Sequence, residues 1–222
     1  MYDFNFAPVF AAFDMLLNGA WLTVRLSAMA MVIGLVVSVI CAAAKTSGVR
    51  PLRWIVDVYV EVIRNTPFLV QIFFFYFGLP TLGLRLGPNE AALLALVVNF
   101  GAYGTEIIRA GIESIHKGQI EAGTALGLSK LQIFRYIIMK PALRTVYPAL
   151  TSQFIYLMLT SSVVSVISAD DLAAAGNDLQ SQTFASFEVY VVVTALYLAL
   201  STGFSAIFAL IERAAFRYPM SR

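Results

Sequence analysis

The chain has 222 residues, 59% of them hydrophobic and only 13% charged, with a formal net charge of +2. Soluble domains carry about 25% charged residues, so this composition excludes an ordinary water-exposed surface and points to a single-domain, all-α integral membrane protein. The single cysteine, Cys41, lies in an apolar run, which excludes an internal disulfide and fits a packing role.

No Lys or Arg precedes Arg25, so the N-terminus lacks the basic region of a signal peptide and no cleavage is expected. A spanning helix needs about 20 mostly apolar residues. Five stretches meet this: residues 21–44, 62–82, 90–110, 146–168 and 189–211. The third is the shortest in charge-free length, from Ala91 to Thr105. Asn89 is expected to cap that helix and Glu90 to sit in its first turn. Glu106 then falls at the membrane edge or inside it, with Arg109 and Glu113 following on the same helix.

Loop charges set the orientation. Lys45, Arg50, Arg53 and Arg64 flank the first connection, and Arg109, Lys117, Lys130, Arg135, Lys140 and Arg144 the third. Arg213, Arg217 and Arg222 follow the last span. The alternate loops hold Arg85 alone in one, and Asp170, Asp171, Asp178 and Glu188 without a cation in the other. This predicts an outside N-terminus and a cytoplasmic C-terminus.

The most polar region, residues 114–140, would then be cytoplasmic. Gln119 to Leu126 reads as a short helix, Gly127 as its C-terminal stop, and Ser129 with Gln132 as a capping box opening a second short helix that Pro141 interrupts. Asp57, Glu61 and Arg64 share one face ahead of the second span and read as an interfacial surface or a subunit contact.

No Gly-x-x-x-x-Gly-Lys-Ser/Thr loop is present, so ATP is not expected to bind here. His116, the only histidine, cannot build a histidine-based metal site or a triad, and no catalytic constellation is evident. Among the polar residues in the spans, Asn99, Tyr103 and Glu106 follow at i, i+4 and i+7. Gln71 and Gln153 stand alone, and Thr160, Ser161, Ser162 and Ser165 cluster. Such groups either bond their own helices or line a solute path.

Glu121-Ala122-Gly123, followed by Gly127, Ile137 and Met139, resembles the Glu-Ala-Ala loop of ABC-importer membrane subunits. RNTPFLVQIFFFYFGLP from Arg64, NFGAYGTEIIRAGIESIHKGQIEAG, and FEVYVVVTALYLAL resemble the polar amino-acid (histidine/glutamine-type) branch. The resemblance extends from about Leu17 to Ala209. Gly123 replaces the second Ala of the loop, and Pro141 falls one position late. Where many relatives read Leu-Lys-Asp/Asn-Thr-Ser-Leu, this chain has Met158, Leu159, Thr160, Ser161, Ser162 and Val163.

The resemblance implies a permease subunit with a coupling helix at Glu121, Ala122, Gly123, Gly127, Leu128 and Ser129, and a solute path near Asn99, Tyr103, Glu106, Thr160, Ser161, Ser162 and Ser165. It implies a dimer of ATP-binding subunits that use ATP and Mg, a second permease (itself or a paralogue), an extracytoplasmic solute-binding protein, and the lipid bilayer of a bacterial inner membrane, with no nucleic acid. A polar amino acid is the expected solute, with an opine or another small polar compound as the alternative. A self-contained channel or secondary carrier is the other class, and it leaves the Glu-Ala-Ala spacing unexplained.

Overall fold

A computed structural model describes residues 4–216. A short helix α1 (Ala7–Ala11) leads into α2 (Phe13–Thr46), and α3 (Arg50–Arg64) follows. The chain then bends into α4 (Phe68–Phe73), which widens to a π turn at Phe74–Gly78 and tightens to a 3-10 turn at Leu79–Leu82. Next come α5 (Pro88–Glu113), α6 (Lys117–Ala125) and α7 (Lys130–Gln132), a second π turn (Ile133–Ile138), and α8 (Met139–Thr160) with a 3-10 extension (Ser161–Ile167). Helices α9 (Leu172–Thr183) and α10 (Ser186–Ala215) complete the described chain.

Among the described residues, four helical stretches are long and apolar enough to cross a membrane: Phe13–Thr46, Pro88–Glu113, Lys130–Ile167 and Ser186–Ala215. A fifth passes only as a bent pair, Arg50–Arg64 with Phe68–Leu82, whose axes differ by 110°. The stretch expected as the second span, residues 62–82, therefore contains a corner. Pro67 makes it: its own backbone is extended, and its ring disfavours helix at Thr66.

Helices α2 and α5 form the centre. The buried face of α2 carries Ala30, Gly34, Ser38 and Ala42, small side chains that let two helices approach closely without any hydrophobic drive from lipid. Ser38 Oγ lies 2.7 Å from Gly34 O and 3.1 Å from Gly101 O, so its hydroxyl satisfies itself within its own helix or across to α5. Ile72, Leu96, Phe100, Phe154, Leu157, Val164 and Ile167 fill the core around this contact. A second core, built on Val9, Leu16, Leu172, Leu179, Val189 and Val193, joins α1, α2, α9 and α10 at the opposite end from α6.

Three expectations need correction. Asn89 does not cap α5. Gly87 is the cap, and Glu90 reaches back to its backbone N–H at 3.0 Å. The Asn89 side chain instead crosses to Asp170, accepting from its N–H at 2.8 Å and donating to its carboxylate at 2.9 Å. Pro141 does not interrupt a helix, and the run from Leu131 is no short separate helix. It opens one stretch that continues to Ile167. The π turn at Ile133–Ile138 explains this, because a proline ring would clash with the carbonyl four residues back, at Ile137, and that carbonyl lies in the widened turn. The acidic connection before the last span, expected as a loop, contains α9, capped by Asp171, whose carboxylate accepts the Ala174 N–H at 2.7 Å.

Candidate functional site

Helix α6 stands out because its bonds are local and its surface is open. It starts at Lys117, two residues earlier than the sequence suggests, and ends at Ala125. Gly127 takes φ +75°, a left-handed conformation that a side chain would strain. Its N–H bonds Thr124 O at 3.0 Å, while the Leu128 N–H bonds Gly123 O at 3.1 Å. Those two bonds are the Schellman closure of a helix C-terminus. Ser129 and Gln132 then cap each other reciprocally, Ser129 N–H to Gln132 Oε1 at 2.8 Å and Gln132 N–H to Ser129 Oγ at 3.4 Å.

One face of α6 presses on the π turn. Gly123 is buried there, and a Cβ at that position would come within 2.5 Å of Ile137 Cδ1 and 3.2 Å of Ile133 Cγ1. The departure from Glu-Ala-Ala thus coincides with a close approach of α6 to the π turn. Glu121, Ala122, Thr124 and Ala125 remain exposed, as does Leu126 at 80%. Leu126 is thus an exposed leucine at the closed C-terminal end of a short helix.

Above α6, an ion network joins three helices. Lys45 Nζ lies 2.6 Å from Glu106 Oε1 and 2.7 Å from Asp57 Oδ1. Arg109 pairs with the other Glu106 oxygen at 2.8 Å and with Glu113. Arg109 and Glu113 were visible in sequence by their spacing from Glu106. Lys45 and Asp57 were not, because they come from α2 and α3, about 50 to 60 residues earlier.

The proposed path residues divide. Asn99 is buried and donates from its side-chain amide to Gln71 Oε1 at 3.0 Å; Gln71 in turn donates to Ile63 O at 2.7 Å and Thr66 O at 3.1 Å. That chain pins the corner between α3 and α4. Ser161, Ser162 and Ser165 each donate to the carbonyl three residues back, at 2.7 to 2.8 Å, inside or at the start of the 3-10 segment. Tyr103, with the Arg64 guanidinium 5.5 Å from its ring centre, and Thr160 are partly exposed and keep hydroxyls without a hydrogen-bond partner among the described residues. The 3-10 segment packs against α4 and α5, while Glu106 lies in the ion network at the α6 end of α5.

At the opposite end, Asp171 is 1% exposed. Burial raises its carboxyl to about 6, and neighbouring Asp170 adds to the rise. The N–H groups of Ala174 and Ala173 and the Tyr197 hydroxyl oppose it. Thr23 Oγ1 accepts the Leu172 N–H at 2.9 Å. No sequence signal identified these partners.

A family model described as the binding-protein-dependent transport system inner membrane component matches residues 34–217. The chain belongs to that family. Members are the membrane permease subunits of ABC importers, in which ATP hydrolysis belongs to a separate subunit; this chain is a transport subunit and not an enzyme. Among its relatives, the glutamine transport system permease protein GlnP of Escherichia coli (strain K12) is 36% identical over 213 residues, covering 95% of this chain and 97% of that one. The probable glutamine ABC transporter permease protein GlnM of Bacillus subtilis (strain 168) is 37% identical over 201 residues, covering 90% and 93%. A chain from the crystal structure of an amino acid ABC transporter with histidines superposes with a TM-score of 0.90 at 34% identity, covering 96% of this chain and all of that one. An inward-facing MetNI methionine ABC transporter shares the fold, with a TM-score of 0.75 at 22% identity.

Proposed function

We propose that this permease carries a polar amino acid across a bacterial inner membrane and that α6 is its seat on the ATP-binding subunit. The observation that supports the seat is a short helix, closed at its C-terminus by the Gly127 turn, that leaves Glu121, Ala122 and Leu126 exposed while Gly123 anchors its other face. A capped helix transmits displacement as a rigid body, whereas a loop absorbs it. The names of the relatives, glutamine permeases among them, favour an amino acid over an opine.

In this reading two permeases, two ATP-binding subunits using ATP and Mg, and an external binding protein form the working assembly. The N-terminus lies outside and the C-terminus and α6 in the cytoplasm, as the loop charges favour. The solute passes between the permeases near Tyr103 of α5 and Thr160 before the 3-10 segment, whose hydroxyls have no partner among the described residues. ATP binding draws the two α6 helices together and opens the pair outward.

Glu121→Lys and Gly127→Trp test the seat. Both should insert in the membrane and fold, yet release the ATP-binding subunit in a pull-down. Retained binding together with wild-type uptake contradicts the assignment.

A further inference from the structure

We propose that Lys45 is a positioning residue that makes α3 follow the α6 end of α5, so that motion at α6 swings the cornered segment Phe68–Leu82. This rests on α6 being the seat of the ATP-binding subunit.

The geometry is specific. The Lys45 side chain is only 10% exposed and touches two carboxylates from two other helices, Asp57 of α3 and Glu106 of α5. Glu106 is 18% exposed and also holds Arg109, which reaches Glu113, the last residue of α5. Helix α6 begins four residues later. Charges therefore alternate without a break from the α6 end of α5 through α2 to α3. Separating any two of the inner members leaves a poorly solvated charge without its partner, which costs far more than sliding apolar surfaces past one another. Helix α3 is thus tied to the α6 end of α5 more firmly than packing alone would tie it.

Four more bonds carry the same connection onward. The Tyr59 hydroxyl donates to Val98 O at 2.7 Å, which fastens the middle of α3 to α5. Gln71 holds the open carbonyls of Ile63 and Thr66 at the end of α3 and is itself held by Asn99. The corner is therefore stiff, and a tilt of α3 becomes a swing of Phe68–Leu82 against the 3-10 segment Ser161–Ile167, on which that segment rests. That contact adjoins Thr160, the residue before the 3-10 segment. The ion network gives α6 a second route to the solute path, separate from the direct one through the π turn and α8.

The experiment uses the whole transporter in proteoliposomes with its ATP-binding subunit and binding protein, measuring uptake and ATP hydrolysis together. Lys45→Met removes both of that residue's bonds. Asp57→Asn removes the link to α3 and leaves Lys45, Glu106 and Arg109 paired. Lys45→Arg keeps the charge. The expected result for Lys45→Met and Asp57→Asn is a retained ATP-binding subunit, continued hydrolysis, and uptake per ATP lowered about tenfold, with Lys45→Arg close to wild type. A purely packing role would lower assembly and leave that ratio alone. Wild-type uptake per ATP in Asp57→Asn overturns the proposal, and Asp57→Asn decides the matter where Lys45→Met fails to assemble. Failure of the α6 assignment shows separately, as an ATP-binding subunit that stays bound to Glu121→Lys.

Discussion

The turn after α6 and the α9 end of the molecule are held together in opposite ways. At the α6 end the turn is closed by bonds between near neighbours: Gly127 to Thr124, Leu128 to Gly123, and the reciprocal pair Ser129 and Gln132. At the α9 end the bonds join distant parts of the chain: Leu172 to Thr23, Asp170 to Asn89, and Asn5 to Glu188. A surface that must move as a unit against a partner keeps its shape without help from the rest of the fold. An end that gathers α1, α2, α5, α9 and α10 instead depends on all of them. The contrast predicts that damage at the α6 end costs coupling, while damage at the α9 end costs stability.

The largest effect should come from Gly123→Trp. The side chain has no room against Ile133 and Ile137, so α6 is pushed off the π turn. Binding of the ATP-binding subunit should be lost in a pull-down while thermal stability in detergent changes little. Gly123→Ala should be much milder, since the flexible Ile137 δ-methyl must shift and Ile133 Cγ1 must give only slightly.

Thr23→Val is the mirror case. It leaves the Leu172 N–H without its buried acceptor, a loss of about 1–3 kcal/mol that thermal unfolding should register while the ATP-binding subunit stays bound. Ser129→Ala removes the N-cap of the stretch after α6 and should cost about 1 kcal/mol, read as faster amide exchange confined to residues 129–133.

The last effect is pH dependence at the α9 end. The Asp171 carboxyl is raised in the fold to about 6 from the usual 3.8, so ionisation is disfavoured there. Stability should increase as pH falls through about 6, and the gain is complete below the ordinary carboxylate range. Asp171→Asn should flatten that slope between pH 7.5 and 5, measured as melting temperature in detergent. A slope unchanged in Asp171→Asn would place its origin elsewhere.

The same contrast explains what could be read in advance. Gly127, Ser129 and Gln132 are legible because the partners of a cap lie within a few residues of it, and the Glu106–Arg109–Glu113 spacing is legible for the same reason. Asn89 misled because a residue suited to capping had a more distant partner in Asp170, while Glu90 served Gly87. Helix α9 was hidden because its apolar positions are few and its anchor, Thr23, lies 149 residues from Leu172. Lys45 looked like a flanking cation of the first span, and only the fold sets it between Asp57 and Glu106. Pro141 is tolerated because of the widened turn before it, which no sequence pattern announces.

One measurement bears most directly on the α6 assignment. A benzoylphenylalanine photo-crosslinker in place of Leu126, 80% exposed on the α6 side, is compared with the same group in place of Phe184, 83% exposed beside α9, in the assembled transporter. An adduct with the ATP-binding subunit from position 126 and none from position 184 is the predicted result. No adduct from position 126, or one from position 184, would contradict it.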